Sequence, residues 1–73
     1  MQKSLQKLYR LPEVMKFTGW SRPKIYAEMH EGRFPRQVRV SPMTVAWLED
    51  ELVQWQAERI AQRDAKLAKR AQT

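Results

Sequence analysis

The stretch from Leu11 to Gly32, LPEVMKFTGWSRPKIYAEMHEG, constrains the fold more than any other, because it holds two helix-forming runs with a stop and a start between them. Pro12 suits a first helical turn, where a missing N–H costs nothing. Val14, Met15 and Thr18 then fall on one side at helical spacing. Gly19 follows and reaches the left-handed conformation that ends helices. Trp20 is a large apolar plug in the turn. Ser21 can cap the next helix by accepting a hydrogen bond from a free N–H of its first turn. Ile25 and Met29 repeat at i, i+4, and Gly32 is the next stop. A helix, a short glycine-containing turn and a second capped helix make a helix-turn-helix pattern.

The second helix has two unlike faces. At about 100° per residue, Ile25 and Met29 point inward, while Pro23, Lys24, Ala27 and His30 lie on or near the opposite side. Arg22 sits in the first turn, beside N–H groups that favour anions. Ala27 gives the outer face a small centre, so the backbone can come close to a surface with longer polar groups around it. A helix that enters a major groove needs that shape; a merely solvated face is the alternative.

The flanking segments complete a small domain. Residues 1–8 are polar and basic with two isolated leucines, and an unpinned N-terminal arm is expected. Tyr9-Arg10-Leu11 is expected to be extended, since a residue before proline avoids the helical region. After Gly32, Phe34 is the expected core anchor of a connection that Pro35 keeps extended. Gln37-Val38-Arg39-Val40 alternates polar and apolar, as a strand with one buried face does. Ser41-Pro42-Met43-Thr44 is a turn, and Val45-Ala46-Trp47 is the return strand. Such a hairpin is not stable alone and must pack on helices. Placed after a helix-turn-helix it is a wing, presenting Arg36, Arg39 and the turn with Thr44. Leu48 to about Arg63 reads as a third helix, with Glu49, Asp50 and Glu51 favoured by the dipole of its first turn and Leu48, Leu52, Trp55 and Ile60 as its inner stripe. The expected division is a basic arm (1–8), the domain (9–63) and a basic tail (64–73), which either continues the helix or frays. The fold class is mostly α with a small β-hairpin.

Charge and composition narrow the function. With 73 residues the chain is one domain at most, and a chain this size buries only roughly 60% of its unfolded surface, leaving little room for an enclosed active site. There is no cysteine and one histidine, so neither a metal nor a cofactor is expected. The contiguous acidic run 49–51 splays around its helix instead of converging on a substrate, and Ser21 has no base at a recognisable spacing. The chain is not expected to be an enzyme. No apolar run is long enough for a membrane span, and no signal peptide is visible. Net charge is +6. By segment it is +3 over 1–19, +3 over 20–40, −4 over 41–58 and +4 over 59–73. Basic charge on the helix-turn-helix, after it and at both ends attracts polyanions, with double-stranded DNA foremost. Trp47 and Trp55 read as core. Trp20 stays open between a half-covered turn residue and an edge for a partner, and Tyr26 between core filler and a backbone contact through its hydroxyl.

Residues 10–55 resemble the AlpA family of prophage regulatory proteins, and the wider excisionase-like and MerR-like winged-helix group. The resemblance rests on Arg10-Leu11-Pro12-Glu13-Val14, Thr18-Gly19, Ser21 with Ile25-Tyr26, Gly32-Arg33-Phe34-Pro35, Val38-Arg39, Val45-Ala46-Trp47 and Trp55. The chain departs from the relatives' pattern at Trp20, at Pro23 and in the wing turn, which has no glycine. The resemblance implies a winged helix-turn-helix with a recognition helix in the major groove and a wing on the backbone or minor groove. It supports Arg22, Lys24 and Tyr26 on the helix and Arg36 and Arg39 at the wing. With the face described above, the expected DNA contacts are Ser21, Arg22, Lys24, Tyr26, Ala27 and His30 from the helix, then Arg33, Arg36, Arg39 and Thr44 from the connection and wing. The implied setting is the bacterial or phage cytoplasm, at the nucleoid. The long MerR-type dimerisation helix is not expected, so a monomer is, loading side by side on repeated sites.

Three functions stay open. One is a sequence-specific DNA-binding activator of phage or prophage genes, acting near a promoter and through RNA polymerase. Another is an excisionase that bends DNA and assists an integrase. The last is a basic protein-interaction module.

Overall fold

The computed structural model describes residues 5–72. The first helix, α1 (Leu11–Thr18), starts where the Arg10 N–H donates to Glu13 Oε1 at 3.1 Å. It stops at Gly19, whose φ of 74° is left-handed and whose N–H donates to the Met15 carbonyl. Thr18 Oγ1 donates to the Val14 carbonyl at 2.7 Å and accepts from the Trp20 N–H at 3.1 Å, which fixes the exit. The second helix, α2 (Arg22–His30), begins at Ser21, whose hydroxyl accepts from the Lys24 N–H at 3.4 Å. Gly32, with φ of 76°, turns the chain out of it. The stop and start signals of the sequence therefore act as expected.

Two strands, β1 (Leu8–Tyr9) before α1 and β2 (Val38–Ser41) after α2, are both hydrogen-bonded to β3 (Thr44–Leu48). The antiparallel sheet has the order β1-β3-β2, with Leu8 opposite Leu48, Tyr9 opposite Trp47, Val38 opposite Ala46 and Arg39 opposite Val45. The hairpin occurs where the alternation placed it, but its inner face differs. Val38 and Val40 are exposed, because no helix covers β2, and burial falls on Ala46 and Trp47 of the central strand.

The N-terminal segment differs as well. Of the expected free arm, residues 1–4 lie outside the described residues, whereas Gln6 to Tyr9 are held. The Glu49 N–H donates to the Lys7 carbonyl at 3.0 Å and the Asp50 N–H to Gln6 Oε1 at 3.2 Å. These bonds occupy free donors that begin α3 (Glu49–Gln72). Leu48 is consequently the last residue of β3, not the first of the helix. Trp47, Ile25 and Val14 are the largest fully buried side chains; with Phe34 and Leu52 they form the core, and Tyr9, Leu11, Met15, Trp20, Met29, Val45 and Trp55 pack around it. Ile60 is exposed, contrary to the expected inner stripe, because α3 has left the core by then: every residue from Gln56 to Lys69 is exposed. The helix runs through the expected tail to Gln72.

Candidate nucleic-acid interface

The outer face of α2 is built by what its inner face holds. Ile25 is fully buried and Met29 half-buried against the core. That orientation leaves Arg22, Pro23, Lys24, Ala27 and His30 exposed, with Ala27 between the longer side chains. The exposed Arg22 guanidinium lies 5.5 Å from the Tyr26 ring centre, within cation–π range. Tyr26 is half-buried, and its hydroxyl donates to Gln37 Oε1 at 3.1 Å. Tyr26 thus packs with part of its surface covered, and its hydroxyl ties α2 to the strand leading into the hairpin. Tyr26, Met29, His30 and Arg36 line one shallow hollow, so helix and wing residues meet in one surface.

Glu28 organises the basic side chains, and nothing in sequence spacing singled it out. Its carboxylate accepts from Arg33 Nε at 2.8 Å, Arg33 Nη2 at 3.0 Å and Lys24 Nζ at 3.2 Å. The hydrogen bonds of Arg33 and Lys24 lower its pKa from 4.5 to about 2, against the opposing effect of burial. The same pairing raises the pKa of Arg33. A two-pronged Arg–carboxylate bond fixes direction as well as charge. It holds the connection after α2 against the helix, while Lys24 and Arg33 each keep half or more of the side chain exposed. The Lys24 ammonium also lies 5.4 Å from the Trp20 ring centre.

Two indoles fix the same connection from the other side. Trp47 Nε1 donates to the Pro35 carbonyl and Trp55 Nε1 to the Arg33 carbonyl, both at 2.9 Å. Trp20, Phe34 and Trp55 pack ring against ring, with centroids 4.9–5.7 Å apart. Trp20 is therefore a half-buried extension of the core that also carries Lys24. In the wing, Arg39 Nη1 donates to the Pro42 carbonyl at 2.8 Å and braces the turn. Thr44 is half-buried opposite Ser41. Met43 is almost fully exposed at the tip; an exposed apolar tip residue is something the turn pattern did not indicate. Ser21, exposed beside Arg22, spends its hydroxyl on the cap.

The surface carries Arg22, Lys24, Arg33, Arg36 and Arg39, all exposed. Among the described residues no three His, Cys, Asp or Glu side chains gather into a metal-binding group, and no helix is long and apolar enough to cross a membrane. Two helices joined by a left-handed glycine turn, a hairpin after the second and a third helix closing the core define a winged helix-turn-helix domain. The chain belongs to the AlpA family of prophage regulatory proteins: residues 7–60 match the family described as "Prophage CP4-57 regulatory protein (AlpA)". It is also similar to "Uncharacterized protein ORF88" of Enterobacteria phage P4, 45% identical over 58 residues, which make up 80% of this chain and 66% of that relative. The chain thus spans just under two thirds of the relative's length. No solved structure matches at a significant level.

Proposed function

We propose that the protein is a sequence-specific double-stranded DNA-binding regulator of phage or prophage genes, acting at or near a promoter. The observation that carries the reading is the outer face of α2. A small residue, Ala27, lies between Arg22, Lys24 and His30, with Arg36 at the same rim. A helix with this profile fits the major groove, where arginine and lysine donate to guanine edges. In this reading Arg22, held by Tyr26, reads a base. Lys24, held by Glu28, meets a base or a phosphate beside the helix N-terminus. Arg33, Arg36 and Arg39 meet phosphates, which position the domain without reading sequence. Membership of a prophage regulatory family supports regulation as the outcome, and contact with RNA polymerase is the route by which a bound domain this small would activate.

The test begins with genome-wide mapping of bound sites, followed by titration of a mapped duplex and its scrambled version. Arg22→Ala or Lys24→Ala should lose specific binding with an unchanged circular dichroism spectrum, by about 1–3 kcal/mol if the lost contact is to a base. Cognate affinity within twofold of the parent for both variants would remove α2 as the reader. Sites clustered beside an attachment site, and none near a promoter, would replace activation by an excisionase role.

A further inference from the structure

We propose that α3 pairs antiparallel with α3 of a second copy of this chain, making the protein a two-fold symmetric dimer. The helix has 24 residues, so it is roughly 36 Å long at 1.5 Å per residue. Among the described residues, only Leu52 and Trp55 bind it to the core cluster. The half beyond Ile60 also lies beyond the residues matched by the family.

Along this helix three large apolar side chains face solvent at a spacing of seven: Val53 (57% exposed), Ile60 (45%) and Leu67 (54%). A seven-residue repeat keeps side chains on one stripe when two helices wrap around each other. Ala57 stands on the same stripe and allows close approach, and Asp64, also on it, is paired with Arg63 at 2.9 Å. A projecting helix with one apolar stripe and no partner is marginal in water. The stripe also continues onto the domain. Phe17 of α1 is 46% exposed, and an open hollow of about 140 Å³ is lined by Tyr9, Phe17, Leu52 and Val53, with Glu49 and Gln56 at its polar side.

Charge selects the occupant and its direction. Residues 49–58 of α3 carry Glu49, Asp50, Glu51 and Glu58, a net −4. Residues 59–69 carry Arg59, Arg63, Lys66 and Lys69 against Asp64, a net +3. A parallel pair would set like charge against like. An antiparallel pair sets each acidic half against a basic half, which is self-complementary and closes at two copies. With Ile60 on the two-fold axis, Val53 faces Leu67 of the second copy, and Glu49 and Asp50, which flank the stripe, lie against the basic half of the other helix. Leu67 of the second copy then arrives beside the hollow at Phe17. A dimer departs from the monomer expected from sequence, where no long dimerisation helix is expected and the tail either continues the third helix or frays.

The test uses the full chain without DNA. Sedimentation equilibrium should show reversible growth from 8.7 kDa to twice that mass across the micromolar range, weakening at high salt. Ile60→Glu should weaken association about tenfold or more with an unchanged spectrum of the folded core, since Ile60 does not touch it. The chain has no cysteine, so Ile60→Cys should oxidise readily to a disulfide dimer, while Val53→Cys and Leu67→Cys should each stay monomeric on oxidation. A parent that remains at 8.7 kDa overturns the proposal, as does a dimer indifferent to Ile60→Glu. Ready crosslinking of Val53→Cys alone would mean a parallel pair and overturn the antiparallel arrangement.

Discussion

Replacing Trp47 by phenylalanine tests how the core supports the candidate interface. The phenyl ring keeps most of the packing against Phe34, whose ring centroid lies 6.4 Å away. It deletes the indole N–H that donates to the Pro35 carbonyl at 2.9 Å. Trp47 is fully buried, so the replacement leaves a gap and deprives that carbonyl of its partner. An unsatisfied interior acceptor costs about 1–3 kcal/mol, and with the smaller ring's lost contacts the total is about 2–3 kcal/mol. A chain of this length has roughly 4–11 kcal/mol of stability in all. At 4–8 °C per kcal/mol for a domain of this size, the melting midpoint should fall by roughly 10–20 °C. Trp55→Phe is the internal control. Its indole makes an equivalent bond to the Arg33 carbonyl, but at an exposed position where water can take over. Its midpoint should fall by about 5 °C or less, corresponding to under about 1 kcal/mol. The assay is thermal unfolding followed by far-ultraviolet circular dichroism. Equal shifts for the two variants, or a Trp47→Phe midpoint within a degree or two of the parent, would refute the assignment of the Pro35 carbonyl bond as a buried anchor.

Other expectations concern charge. Arg36→Ala and Arg39→Ala should each weaken binding to all DNA sequences alike and reduce the slope of log affinity against log salt by about one unit; an unchanged slope for both takes the wing out of the interface. Glu28 has its pKa lowered from 4.5 to about 2 in the fold. Its contribution to stability is therefore complete above about 4.5 and is lost as pH falls from there towards 2. Acid titration by circular dichroism should show that loss in the parent, while Glu28→Gln, already less stable at neutral pH, should lack that part of it. Identical acid limbs would mean that the Lys24–Glu28–Arg33 network does not stabilise the fold.

The sequence by itself determined the helix-turn-helix. Its signals are local: Gly19 must supply a left-handed turn, Ser21 must cap, and Ile25 and Met29 must share a face because a helix has a fixed period. Phe34 as the anchor of the connection and the hairpin from Gln37 to Trp47 were legible for the same reason. The outer face of α2 followed from the inner one. Which charges on it are free did not follow, because a sequence counts Lys24, Arg33 and Glu28 separately, whereas the fold joins them around one carboxylate. Other features also needed the tertiary structure. Leu8–Tyr9 is too short to show any period and becomes a strand only because β3 offers an unpaired edge. Val38 and Val40 alternate correctly, yet stay exposed because alternation fixes which side chains share a face and not whether anything covers it. Ile60 keeps helical register with Leu52, but the core is too small to reach it. Periodicity belongs to the backbone and can be read from the chain alone; burial and charge pairing belong to neighbours brought together from distant positions, and only folding supplies those.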